Sequence, residues 1–259
     1  MNYTTITVAD NAPIRTITLN RPERRNAMTP AMQWELIAAM EAATTSDCHV
    51  LVFAGAGDAF CSGLDLSALQ SMNGKTAAEH RTDAERVARL FRTLYELPIP
   101  TIAAVHGAAI AGGTGLAMIC DFTLATPAAK FGFTEARIGF VPAFVSAFLA
   151  LQIGDKRSRD LLLTGRIFDA TEAYRLGLVN EVVAPENLVE RVQSLAETLI
   201  ANSPEALAST KQLLAAQNRI WLDAAIDAAL EANAQTRETA DFREGVAAFL
   251  EKRKPAWTK

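Results

Sequence analysis

The sequence predicts an α/β protein with a helical C-terminal region, and three observations carry that prediction. From the N-terminus to Ala125, short apolar or β-branched runs alternate with stretches of helical periodicity, the order of repeated strand-turn-helix units. Glycine-containing turns, Gly55 to Gly57 and Gly112–Gly113, follow strand-like runs. Beyond Pro142 helix follows helix, interrupted by one short strand.

Residues 1 to 20 alternate, with Ile6 and Val8 and then Ile17 and Leu19 on one side each, which predicts an opening hairpin. Thr29 then Pro30 reads as an N-cap and first helical position, and Leu36, Ile37 and Met40 share one face of a helix running to about Ala43. Val50 to Phe53 is a short buried strand, and the segment Phe60 to Asp65 is predicted as loop. Val87, Leu90, Phe91 and Leu94 mark a helix that must stop before Pro98, after which Thr101 to Val105 forms a strand. Gly112–Gly113 opens an apolar helix toward Ile119, and Phe122 to Ala125 extends again. Helices are then predicted over 142–152, 155–164 and about 170–176, the last capped by Asp169 with Glu172 three residues on and stopped at Gly177. After a strand from Leu178 to Val183, further helices are predicted at about 186–202, 204–218 and 221–238, with a last one starting near Asp241.

With 259 residues and half of them apolar, the chain can bury a large core as one sizeable domain, with or without a small appendage. Three cysteines, Cys48, Cys61 and Cys120, form no CxxC pair, and an odd count does not suit a secreted disulfide framework, so a reducing compartment is expected. The N-terminal stretch has no basic region followed by an apolar one, and no apolar run reaches the roughly 18 to 20 residues of a membrane span. A cytoplasmic protein without membrane contact is expected. The net charge of -4 excludes whole-surface attraction to nucleic acid or anionic lipid and leaves room for one local phosphate site.

Two segments could aim backbone amides at a ligand: Cys61-Ser62-Gly63-Leu64-Asp65, and Val105 to Gly113 running into a helix. Glycine lets a backbone approach closely, an amide at a helix N-terminus carries partial positive charge, and two such amides can hold a developing oxyanion. Each stretch taken singly is equally compatible with plain turn chemistry. No metal spacing joins His49, His80 and His106, and Gly113-Thr114-Gly115 has no dinucleotide-binding frame. His106 reads as a turn histidine, and Cys61, with no basic partner nearby in sequence, as a small buried side chain.

Taken together, the motifs resemble the crotonase (enoyl-CoA hydratase/isomerase) family across nearly the whole chain. They are Asn20-Arg21-Pro22 with Asn26-Ala27, Phe60 to Asp65, Ala104 to Gly113, Cys120-Asp121, Phe131-Gly132 through Glu135, and Leu163-Thr164-Gly165. The resemblance implies a spiral of β-β-α units over about residues 1–200. It also implies a helical region, 201–259, that trimerises and covers the acyl pocket, in trimers or pairs of trimers. The substrate would be an acyl-CoA thioester, coenzyme A entering as part of the substrate and no separate cofactor being required. Leu64 and Gly112 would supply the two oxyanion amides. Arg24, Asn26 and Ala27 would line the adenosine part of CoA, and Lys252, within a basic cluster, would approach its 3'-phosphate. That cluster can equally be a solvated helix end. Ser62, Gly63, Asp65, Gly115 and Phe140 complete the expected substrate contacts.

Hydratases of that family commonly use two glutamates. Glu135 matches the later one, in a segment whose apolar neighbours would raise a carboxyl pKa. The earlier position holds Gly115, which removes one acid/base and either widens the acyl pocket or permits close helix packing. Asp65 reads as a loop-fixing hydrogen-bond acceptor, with a second base as the reserve role. Two reactions stay open: hydration of a 2-enoyl-CoA, toward which the local resemblance points, and double-bond migration, for which one base suffices. RNA binding, known from one branch of the family, would need a basic first helix. Thr29 to Asp47 has Glu35, Glu41 and Asp47 and neither lysine nor arginine.

Overall fold

The computed structural model describes residues 2–71 and 74–258. Alternation in the first twenty residues closes the hairpin of β1 (Ile6–Asn11) and β2 (Ile14–Leu19). A 3-10 turn at Pro22–Arg24 leads to α1 (Pro30–Ala43), whose first amides are capped by Thr29, its hydroxyl accepting from the Met32 N–H. The chain then runs through β3 (Val50–Gly55), β4 (Ala59–Cys61), α2 (Leu66–Gln70) and α3 (Ala77–Glu96). The next unit is β5 (Thr101–Val105), β6 (Ala108–Ile110) and α4 (Gly112–Ile119). The third is β7 (Phe122–Ala125), β8 (Lys130–Gly132), a 3-10 turn at Glu135–Ile138, and α5 (Ala143–Ile153). There follow α6 (Asp155–Thr164), β9 (Ile167–Asp169), α7 (Ala170–Leu176), β10 (Glu181–Val182), α8 (Leu188–Ile200), α9 (Pro204–Thr236) and α10 (Ala240–Leu250).

The repeat is thus strand, strand, helix. First strands of successive units join a six-stranded sheet in the order β1-β2-β3-β5-β7-β10, parallel except for β1 with β2. Second strands stack into a smaller sheet, β4-β6-β8-β9, with only β9 antiparallel. Burial on both faces explains the near-continuous apolar run of β3. Leu51 and Phe53 enter the main core with α1 and α3, while Val50 and Val52 face a second cluster closed by Val192, Ala196 and Leu199 of α8.

Three expectations need correcting. Phe60 and Cys61 belong to β4, so only the end of the predicted loop is irregular. Leu178 and Val179 precede β10 and pack as part of the α7 C-cap, the Leu178 amide donating to Ala173 O. The helix marked by Val87 to Leu94 ends before Pro98 as expected and starts at Ala77, on a capping box in which Thr76 and Glu79 satisfy each other's backbone amides. The two helices predicted over 204–218 and 221–238 are one helix of 33 residues, because no glycine or proline interrupts it after Pro204. What shifts near residue 220 is the environment. Before that point α9 is mostly exposed, and after it Leu222, Ile226, Ala229 and Leu230 enter the main core. All three cysteines are free and buried, and among the described residues no helix is long and apolar enough to cross a membrane.

Candidate active site

The site grows from two strained backbone segments. Met28 and Leu64 form an isolated parallel bridge in which the Met28 amide donates to Gly63 O (2.7 Å) and the Asp65 amide donates to Met28 O (3.0 Å). Those bonds use the groups on either side of Leu64 and turn its own N–H the other way. At the second segment Ala111 holds φ 52° and ψ −124°, a conformation costly for any residue with a Cβ, and its amide donates to Gly132 O at 2.6 Å. This bend presents the Gly112 amide, the first of α4. Among the described residues neither the Leu64 nor the Gly112 N–H has an acceptor. The two segments abut: Gly63 sits at φ 91°, and a Cβ there would lie 2.9 Å from Ile110 O and 3.3 Å from the Gly112 nitrogen. Leu64 and Gly112 both line one cavity of about 530 Å³. Two unsatisfied amides on one cavity wall can stabilise an oxygen that gains negative charge.

Glu135 lines the same cavity from the 3-10 turn after β8. The turn is clamped by α10, because Gly139 and Gly245 allow backbone-to-backbone contact: a Cβ on Gly139 would sit 2.4 Å from Asp241 O, and one on Gly245 2.2 Å from Ile138 O. Glu135 is 9% exposed, and its buried Oε2 has no hydrogen-bond partner among the described residues. Burial raises its pKa to about 7, opposed only in part by its own backbone amide. Such a group exchanges protons readily near neutrality.

Gly115 is buried inside α4, and a Cβ there would meet Val145 Cγ1 at 2.5 Å and Phe91 Cζ at 3.3 Å. The space is thus taken up by Val145 and Phe91, which themselves line the cavity, so the glycine serves close packing.

Ser62 and Phe140 also line the cavity. Asp65 does not line it. It caps α2 by accepting from the Ser67 and Ala68 amides and pairs with Arg21 Nη1 at 2.9 Å. Burial works against its ionisation, yet the Arg21 bond and the two amides outweigh it and hold the carboxyl below its ordinary value. That is the loop-fixing role.

Of the residues expected at CoA, Asn26 is enclosed. The Asn26 side chain is fully buried, its Oδ1 accepting from the Arg21 amide and its Nδ2 facing the carbonyls of Ala56, Ala59 and Phe60. It is a latch between backbone segments, and no ligand can reach it. The Ala27 carbonyl is taken by Arg21 Nη1, and neither Arg24 nor Lys252 lines the cavity. The cations that line it are Arg25, Arg137 and Arg253. The backbone is left-handed at Arg25, Asn26 and Lys252. Asn233 of α9 is a further lining residue that carried no sequence signal.

His106 Nε2 bonds the Gly57 carbonyl at 2.7 Å, as a turn histidine does. Cys61 is buried in apolar surroundings that push its thiol up to about 12, which removes it as a nucleophile. No group of three or more metal-ligating side chains occurs among the described residues.

Residues 9–259 match the family model described as enoyl-CoA hydratase/isomerase. A putative enoyl-CoA hydratase of Thermus thermophilus is 42% identical over 243 residues, covering 93% of this chain and 96% of that one. A crotonyl-CoA hydratase of Syntrophomonas wolfei is 33% identical over 257 residues, covering 98% of each. Of solved structures, an enoyl-CoA hydratase/isomerase from Xanthobacter autotrophicus superposes with TM-score 0.89 at 31% identity, covering 97% of this chain and 98% of that one. An enoyl-CoA hydratase from Mycobacterium avium subsp. paratuberculosis gives 0.88 at 27% identity with complete coverage of both. With its ββα spiral, its two sheets and its C-terminal helices, this chain belongs to the enoyl-CoA hydratase/isomerase, or crotonase, family of enzymes.

Proposed function

We propose that this enzyme hydrates a 2-enoyl-CoA, with the Leu64 and Gly112 amides holding the thioester oxygen and Glu135 as the proton-transfer residue. The carrying observation is that an unpaired, buried carboxyl and two acceptorless amides share one cavity. In the addition, the Glu135 carboxylate takes a proton from water as the water oxygen bonds to C3. The electron pair of the double bond moves to the thioester oxygen, where the two amides stabilise the enolate. Glu135 then returns the proton to C2, which regenerates the carboxylate and closes the cycle. Arg25, Arg137 and Arg253 suit the phosphates of CoA, which need cations rather than apolar wall. The names of the relatives agree with hydration.

Double-bond migration is the second reading, favoured by the filled space beside Gly115. With one carboxylate, Glu135 would take a proton from C2 of a 3-enoyl-CoA and deliver it to C4. Purified enzyme offered 2-enoyl-CoA and 3-enoyl-CoA separately decides between them. Hydration requires a 3-hydroxyacyl product from the first, whereas conversion of the second to 2-enoyl-CoA without water addition selects migration. Either reaction requires Glu135→Gln to lose turnover while the backbone amides still bind the thioester.

The exposed first half of α9 displays Leu213, Leu214, Ile220 and Trp221, and this face supports assembly into trimers or pairs of trimers. Sedimentation at micromolar concentration should show no stable monomer.

A further inference from the structure

The cavity walls divide by burial. Arg25 and Arg253 are exposed and mark the mouth, whereas Leu69, Val87, Phe91 and Phe140 are buried and form the floor. Apart from the catalytic Glu135, the buried lining is apolar except for Asn233, which is 2% exposed. The Asn233 amide is held from behind: its Oδ1 accepts from Arg237 Nε at 3.0 Å, so Nδ2 remains as the donor, and no acceptor takes it among the described residues.

Arg237 has no counterpart in the catalytic scheme. It is 3% exposed, and its guanidinium lies 5.9 Å over the ring of Phe140, another floor residue. Its Nη1 comes within 2.7 Å of Asp83 Oδ2 without the alignment of a hydrogen bond, and Nη1 and Nη2 both lack hydrogen-bond partners. Asp83 is shared, since its other oxygen contacts Arg86. Two guanidinium groups, that of Arg237 buried and that of Arg86 half-buried, therefore face one buried carboxylate. A buried cation left over in this way calls for an anion. His80 supplies none, since burial and then Arg237 hold its pKa below the ordinary value, and the carboxylates that also act on it, Glu238 and Glu79, belong to exposed residues.

We propose that the acyl group carries a carboxylate at the end remote from the thioester, bound by the Asn233 Nδ2 donor with the Arg237 charge behind it. The inference rests on the CoA-thioester reading above. A plain hydrocarbon tail would offer the Asn233 donor no acceptor, an arrangement that selects against tails without one.

The test compares two saturated six-carbon thioesters, hexanoyl-CoA and its ω-carboxylated counterpart adipyl-CoA, by calorimetric titration. Wild type should bind adipyl-CoA at least tenfold more tightly. Asn233→Asp keeps the size of the side chain and its contact with Arg237, so the fold is retained, and it should invert the preference by opposing a second carboxylate. Arg237→Gln should bring the ratio toward one. Equal or tighter binding of hexanoyl-CoA by wild type, or a ratio unchanged in Asn233→Asp, would overturn the inference and leave the thioester site standing. Binding of neither compound would overturn the thioester reading as well.

Discussion

Replacing Glu135 by Gln should stabilise the protein at alkaline pH while abolishing turnover. Burial lifts the carboxyl from 4.5 to about 7, a difference of about 2.5 units. At about 1.36 kcal/mol per unit, keeping this side chain ionised costs the folded state about 3 kcal/mol. The folded protein binds the proton more tightly than the unfolded chain, so stability is full below about pH 4.5 and falls as pH rises to about 7. Gln carries no charge at any of these values. Denaturant unfolding of wild type and Glu135→Gln at pH 4.5, 6 and 8 should therefore show a gap that widens by about 3 kcal/mol in favour of the variant. A gap that stays constant with pH would show that Glu135 ionises freely in the fold, and would remove the physical basis for its proton transfer near neutrality.

Other expectations are equally direct. Gly63→Ala places a Cβ 2.9 Å from Ile110 O at φ 91° and should shift Leu64, lowering kcat by about a hundredfold or more, as loss of one oxyanion donor does; a variant within a factor of three of wild type in a steady-state assay would refute this. Asn26→Ala strands the carbonyls of Ala56, Ala59 and Phe60 and should cost about 3 kcal/mol in denaturant unfolding, a value under about 0.5 kcal/mol contradicting the latch role. Gly115→Glu should not create a two-carboxylate site, because Val145 and Phe91 occupy the space. It should lower Tm, and Val145→Ala added to it should recover part of the loss.

Much of this was legible in the chain. Thr29–Pro30, Asp169 with Glu172 and the glycine after α7 set helix ends through local hydrogen bonds, which need no tertiary partner. The segments around Leu64, Gly112 and Glu135 were marked by glycines and by motif order, and the fold brings all three onto one cavity. The rest depends on packing between distant elements. Asn26 reads as a polar turn residue until β3 and β4 wrap around it, and nothing local marks Arg25 and Arg253 as lining the cavity. Asn233 and Arg237 are polar positions on a long helix like many others. Their burial follows only from α9 docking on α3 and from Phe140 packing against Phe242 of α10. The continuity of α9 was legible in its lack of breakers, and the change in apolar phase near residue 220 masked it because the helix enters the core there.

The central claim is that a thioester oxygen is gripped between two backbone amides beside a lone carboxyl. A crystal structure with a bound saturated acyl-CoA tests it most directly. The thioester oxygen should lie about 2.7–3.1 Å from both the Leu64 and Gly112 nitrogens, with Glu135 facing the C2–C3 bond. An oxygen bonded elsewhere, or those two amides left facing solvent while the ligand occupies the cavity, would contradict the account.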